Sequence, residues 1–96
     1  MFTVYILYSP TFDKMYIGYS SNLTNRFISH NELATKGYTL RYRPWVIAYT
    51  EDFDTKTEAI KRENYLKSTQ GRKFAWTIIH KKFDSSNGEN AGFISA

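Results

Sequence analysis

The chain has 96 residues, 42% hydrophobic and 18% aromatic, with a formal net charge of +4. That length supports one folded domain with one modest core. It contains no cysteine, which excludes a disulfide framework and a thiolate metal site and fits a reducing cytoplasm. No apolar run approaches the length of a membrane span, and the N-terminus has no basic stretch leading into an apolar one, so a cytoplasmic protein with no membrane partner is expected.

Phe2 to Tyr8 is β-branched and aromatic and short enough to be a strand. Phe2, Val4, Ile6 and Tyr8 fall on one face, and Tyr5 and Leu7 on the other, so both faces should be covered. Pro10 and Asp13 mark a turn, and Met15 to Tyr19 reads as a second strand, closing a hairpin with a longer loop. Ser20-Ser21-Asn22 offers N-cap oxygens for a helix to about Thr35, with Leu23, Phe27, His30 and Ala34 on one stripe and Gly37 as its stop. Residues 36–44 read as a basic loop with tyrosines, and Pro44 fits the start of a third strand, Trp45 to Glu51.

Thr55-Lys56-Thr57-Glu58 matches a capping box before a helix from about Lys56 to Thr69. Gly71 should separate it from a last helix, about Arg72 to Lys82, whose candidates for the inward face are Phe74, Ile78 and Ile79. One domain over 1–83 and a loosely ordered C-terminal tail over 84–96 are expected. The order ββαβαα predicts an α/β (α+β) sandwich: a three-stranded, mainly antiparallel sheet, flanked by helices and carrying the tyrosines.

Glu63 gives the sharpest chemical clue. Ala59, Glu63 and Leu66 lie at i, i+4 and i+7, so a carboxylate points along an apolar stripe. Such a group needs a metal, a proton or a cationic partner such as Arg26. Arg26 and His30 share a helix face, where Arg26 can stabilise charge on a phosphate. His30 can position water, move a proton or hold a phosphate, or serve as a hydrogen-bonded core residue. Tyr5 and Tyr16 are poor bases at the usual phenol pKa near 10, but a neighbouring cation favours the phenolate. No Gly-rich phosphate loop, His-Glu-x-x-His helix or Gly-x-Ser-x-Gly elbow is present, and with two histidines a His-based metal cluster is not expected.

Basic residues cluster in two places. Lys36, Arg41 and Arg43 are interleaved with Tyr38 and Tyr42; Lys61, Arg62, Lys67, Arg72, Lys73, Lys81 and Lys82 surround a single acid, Glu63. Cations with nearby aromatics suit a phosphate backbone and unstacked bases, or else form a solvated charged face.

Taken in order, Thr3-Val4-Tyr5, Tyr16-Ile17-Gly18, Asn22-Leu23 with Arg26 and His30, and Ala59 through Glu63 to Leu66-Lys67 resemble the GIY-YIG nuclease family over roughly residues 1–82. The chain is most similar to small stand-alone bacterial members related to the N-terminal domain of excinuclease C. The resemblance implies a DNA endonuclease of repair or recombination, hydrolysing phosphodiester bonds with one Mg²⁺ or Mn²⁺ on Glu63 and no small-molecule cofactor. It implies Tyr5 as general base and Tyr16 as orienting partner, with the two roles exchangeable, Arg26 on the pentavalent transition state and His30 assisting. DNA would lie against Lys36, Arg41, Arg43, Lys61, Arg62, Lys67, Arg72 and Lys73, and a protein partner would supply targeting. Thr3 stands where the family name has glycine. The competing reading is a nucleic-acid-binding module with little or no catalysis.

Overall fold

A computed structural model describes residues 1–33 and 37–84. Ala34, Thr35 and Lys36, together with the expected tail apart from Asp84, lie outside the described residues. The elements are β1 (Phe2–Ser9), β2 (Lys14–Ser20), α1 (Leu23–Ile28), α2 (Tyr38–Arg41), β3 (Val46–Phe53), α3 (Lys56–Lys67) and α4 (Thr69–Ile79). The chain divides into two compact units, one of Met1–Asn64 and one beginning at Tyr65, the boundary falling within α3. Among the described residues no helix is long and apolar enough to cross a membrane.

The three strands form one antiparallel sheet in the order β2-β1-β3. The central place of β1 explains its two apolar faces: Val4, Tyr5, Ile6 and Leu7 are all essentially inaccessible. Tyr5, Leu7 and Trp45 form a buried cluster, with Leu23, Phe27, Tyr42 and Ile47 packed against it. Between Ile6, which faces Tyr49, and Leu7, which faces Ile47, the register shifts and β3 carries an extra residue. In the hairpin turn Asp13 takes a positive φ of 55°, a conformation aspartate tolerates. Its Oδ1 accepts from the Tyr8 hydroxyl at 2.9 Å.

The expected fold class and order hold, with differences at four boundaries. The first helix is α-helical only to Ile28 and then widens into a π-turn, Ser29–Leu33. The Arg43 guanidinium stabilises this turn, donating to the carbonyls of His30 at 2.8 Å and Ser29 at 3.3 Å. The basic loop contains the short helix α2, held by bonds from the Trp45 indole to the Thr39 carbonyl (2.8 Å) and from the Tyr38 hydroxyl to the Met15 carbonyl (3.1 Å). Gly37 precedes α2 with φ of 97°.

The third strand begins one residue later than expected and runs on to Phe53, because Phe2 and Thr3 still find partners in Phe53 and Asp52. The break between the last two helices falls at Ser68, not Gly71. The Ser68 hydroxyl caps α4 by accepting from the Gly71 N–H at 3.2 Å. Gly71 lies inside the first turn of α4, where a Cβ would overlap the Tyr65 carbonyl and come within 2.5 Å of the Leu66 Cα. The glycine permits the corner rather than ending the helix, and the buried face of α4 is Gly71, Ala75 and Ile79, with Phe74, expected inward, exposed instead.

Candidate active site

The antiparallel register brings the two tyrosines together. Tyr5 faces Gly18 and Leu7 faces Tyr16, so Tyr5 and Tyr16 are diagonal neighbours on one face of the hairpin. Their rings stack at 6.3 Å between centroids with 28° between planes. Gly18 makes this approach feasible. A Cβ there would lie 2.6 Å from the Tyr5 Oη, 2.8 Å from its Cζ and 3.2 Å from the Tyr16 Cε2.

Asn22 sets the start of α1 by accepting the Asn25 N–H on its side chain at 3.1 Å, while the Ser20 hydroxyl accepts from the Asn22 N–H at 2.9 Å. The helix then carries Arg26 out to the cleft and His30 inward. His30 is buried, its ring 4.6 Å from that of Tyr16, and its Nε2 lies 3.0 Å from the Tyr5 hydroxyl. Asn31 fixes the following backbone, accepting the Trp45 N–H at 2.6 Å and donating to the Trp45 carbonyl at 3.0 Å. On α3, Ala59 and Leu66 are fully buried, and Glu63 between them is half-buried.

Tyr5, Tyr16, Gly18, Tyr19, Ser20, Arg26 and Glu63 line one open cleft of about 330 Å³. Four of the five expected catalytic side chains therefore meet there, and the fifth, His30, reaches it through Tyr5. Burial pushes the Tyr5 phenol above its ordinary value; the Arg26 guanidinium opposes that rise, and the charges of Tyr16 and Glu63 add to it. Burial, then the positive charges of Arg26 and Arg43, push His30 below its ordinary value and keep the imidazole neutral at physiological pH. A buried phenol beside a neutral imidazole is a donor–acceptor pair through which a proton can pass. Among the described residues no three His, Asp or Glu side chains converge as a metal cage. Glu63 is the one carboxylate in the cleft lining.

The expected DNA contacts fare unevenly. Arg62 is engaged by Glu51 in a two-point ion pair, at 2.7 and 3.2 Å. Burial would raise the Glu51 carboxyl, but the Tyr49 hydroxyl and Arg62 outweigh it and hold the carboxyl below its usual value. Arg43 supports the backbone under His30. Arg41 and Lys61 are exposed on the first unit, Lys67, Arg72 and Lys73 are exposed on the second, and Lys36 lies outside the described residues. Sequence reasoning alone does not single out Gly18, Tyr19 and Ser20 as cleft residues. Gly18 has a signal in the second motif, whereas Tyr19 and Ser20 mark only a strand end.

Over residues 1–84 the chain matches the family model of the GIY-YIG catalytic domain. It is 41% identical over 59 residues to a UPF0213 protein of Staphylococcus saprophyticus, covering 62% of this chain and 72% of that one. The UPF0213 protein YazA of Bacillus subtilis is 32% identical over 81 residues, 84% of this chain and 78% of YazA. A UPF0213 protein of Clostridium perfringens is 33% identical over 86 residues, 90% of this chain and 91% of its own length. With the sheet, the paired tyrosines and the matched span in agreement, the chain belongs to the GIY-YIG nuclease family.

Proposed function

We propose that the chain is a metal-dependent DNA endonuclease that hydrolyses phosphodiester bonds. The observation that carries this reading is the convergence of Tyr5, Tyr16, Arg26 and Glu63 on one open cleft. A single carboxylate with room for water fits a hard divalent cation, since Mg²⁺ is commonly held by one or two carboxylates, several waters and substrate phosphate. Glu63 would hold one Mg²⁺ or Mn²⁺, which supplies Lewis-acid stabilisation of charge on the scissile phosphate. Arg26, exposed on α1 at the rim, binds the phosphate and stabilises the charge that builds on its oxygens. Tyr5 takes a proton from the attacking water while its own passes to His30 Nε2. The phenolate is then never exposed to the full penalty of burial. Tyr16, stacked on Tyr5, orients the water.

The test is nicking of supercoiled plasmid in Mg²⁺ or Mn²⁺. Branched DNA is the second substrate, because the family resemblance implies repair or recombination, with targeting by a partner. Wild type nicks, Arg26→Ala loses about 10²–10³-fold as expected for a deleted charge-stabilising donor, and Glu63→Ala is inactive. Equal activity in all three would mean a contaminating nuclease and sink the reading. Salt-sensitive binding without nicking, surviving Glu63→Ala, would leave a nucleic-acid-binding module in its place.

A further inference from the structure

The rings at the cleft do not stop at Tyr16. Tyr38 lies 6.3 Å from Tyr16, Tyr42 lies 4.9 Å from Tyr38, and Phe12 lies 5.5 Å from Tyr42, all between ring centroids. The row leads from the cleft to the surface, where Phe12 is 46% and Tyr38 45% exposed. Tyr38 is held in place, stacked on Trp45 at 5.8 Å with its hydroxyl on the Met15 carbonyl. Two exposed cations flank the row: the Lys14 Nζ is 5.4 Å and the Arg41 guanidinium 5.7 Å from the centre of the Tyr42 ring. Asp13, the acid of the neighbouring turn, has its Oδ1 engaged by Tyr8.

Two exposed rings, Phe12 and Tyr38, linked through the half-buried Tyr42 and accompanied by cations, match a single nucleic-acid strand. Its bases supply π-faces and its backbone supplies negative charge. A fully paired duplex offers phosphates but hides those faces. We propose that Phe12, Tyr38 and Tyr42 form a stacking platform for unpaired bases of the DNA strand whose phosphate enters the cleft, with Lys14 and Arg41 on the adjoining phosphates. The proposal rests on the endonuclease reading and narrows its substrate to DNA with an unpaired stretch beside the cut.

Binding is measured by fluorescence anisotropy in EDTA, so that cleavage plays no part. The probes are a labelled oligothymidine 15-mer, a 15-mer of abasic sugar-phosphate and a 15-base-pair duplex. Base–aromatic stacking predicts that wild-type protein binds oligothymidine about tenfold more tightly than the abasic strand. Phe12→Ala, in an exposed turn, and Tyr42→Leu, which keeps apolar volume, should each weaken oligothymidine binding several-fold and leave duplex binding unchanged. Equal wild-type affinity for the thymidine and abasic strands would overturn the platform and needs no variant to fold. So would equal loss on all three probes. Failure of the platform would leave plasmid nicking and its loss in Glu63→Ala untouched, so the two readings fall separately.

Discussion

Gly18→Ala sets two measurable effects against each other. In most strands the change is favourable, because alanine loses less backbone freedom on folding than glycine, by about 0.5–1 kcal/mol. Nothing in the Gly18 backbone forbids it, since the one glycine among the described residues with positive φ is Gly37. The added methyl, however, would lie 2.6 Å from the Tyr5 Oη and 2.8 Å from its Cζ. Tyr5 is 1% exposed, with Leu7 and Trp45 in its cluster, so its ring has little room to retreat. Overpacking of this kind costs about 1–3 kcal/mol. The steric term outweighs the backbone gain over nearly all of that range, leaving a net loss of up to roughly 2.5 kcal/mol. For a chain this size that lowers Tm by several degrees, at about 4–8 °C per kcal/mol. Nicking should fall further than stability, because the displaced atom is the Tyr5 hydroxyl itself. Thermal unfolding followed by circular dichroism and plasmid nicking on the folded variant measure the two effects. A variant as stable and as active as wild type would refute the steric argument and, with it, the account of why glycine stands opposite Tyr5.

The proton pathway makes a pH prediction. If Tyr5 hands its proton to His30, nicking is lost only at a pH below the ordinary histidine value of about 6.5, because burial, Arg26 and Arg43 hold His30 below that value, and is flat above it. A rate still climbing from pH 7 to 9 would mean a phenolate acting without His30. The same histidine links folding to pH. Its folded pKa is lowered, so the unfolded chain binds more protons below pH 6.5 and stability must fall as pH drops from there. Urea midpoints at pH 7.5 and 5.5 should separate more for wild type than for His30→Gln, and equal separation would refute this. Asn31→Ala removes both bonds to the Trp45 backbone, at about 0.5–1.5 kcal/mol each; a Tm within 2 °C of wild type would contradict that. Thr3→Val removes the bond from Thr3 Oγ1 to Asp52 Oδ1, an exposed contact whose loss is at the low end of that range. Its nicking should match wild type, and a large loss would place Thr3 in the chemistry.

The parts of the site legible in the sequence are those set by short-range periodicity. The alternating pattern of β1, the turn at Pro10–Asp13 and the apolar run of β2 define a hairpin. In that hairpin the positions of Tyr5 and Tyr16 follow from counting residues by twos. Spacing on a helix likewise places Arg26 four residues before His30, and Glu63 on the stripe of Ala59. What could not be read depends on partners distant in the chain. The π-turn that carries His30 is tied by Arg43 and Asn31 to residues 13 or 14 positions away. Nothing local in Ser29-His30-Asn31 signals it. The helix α2 is likewise held by bonds from Trp45 and to Met15, not by its own short sequence. Arg62 looks like any exposed cation in a basic helix until Glu51 is brought beside it. Gly71 misleads for the opposite reason. Glycine is a strong local stop signal, but here its missing side chain serves a close packing of backbone that only the folded corner reveals.

The departure at Thr3 can be weighed against the glycine at 18, because the two positions stand in different surroundings. Thr3 is two residues from Tyr5 on the central strand and so projects from the same face, opposite Ser20 on β2 and Asp52 on β3. Its side chain has somewhere to go: it is half-buried and donates across the sheet to the Asp52 carboxylate at 2.7 Å. A residue with a Cβ therefore adds a tie between β1 and β3 at that position, with no demand on the cleft lining. Position 18 has no such freedom, because the space a Cβ would occupy is already filled by the Tyr5 phenol. Of the two glycines in the family's name, the second is enforced by the packing of the tyrosines here, and the first is not. Threonine at position 3 is thus compatible with an intact site, which rests instead on Tyr5, Gly18 and the helix that brings Arg26 and His30 to them.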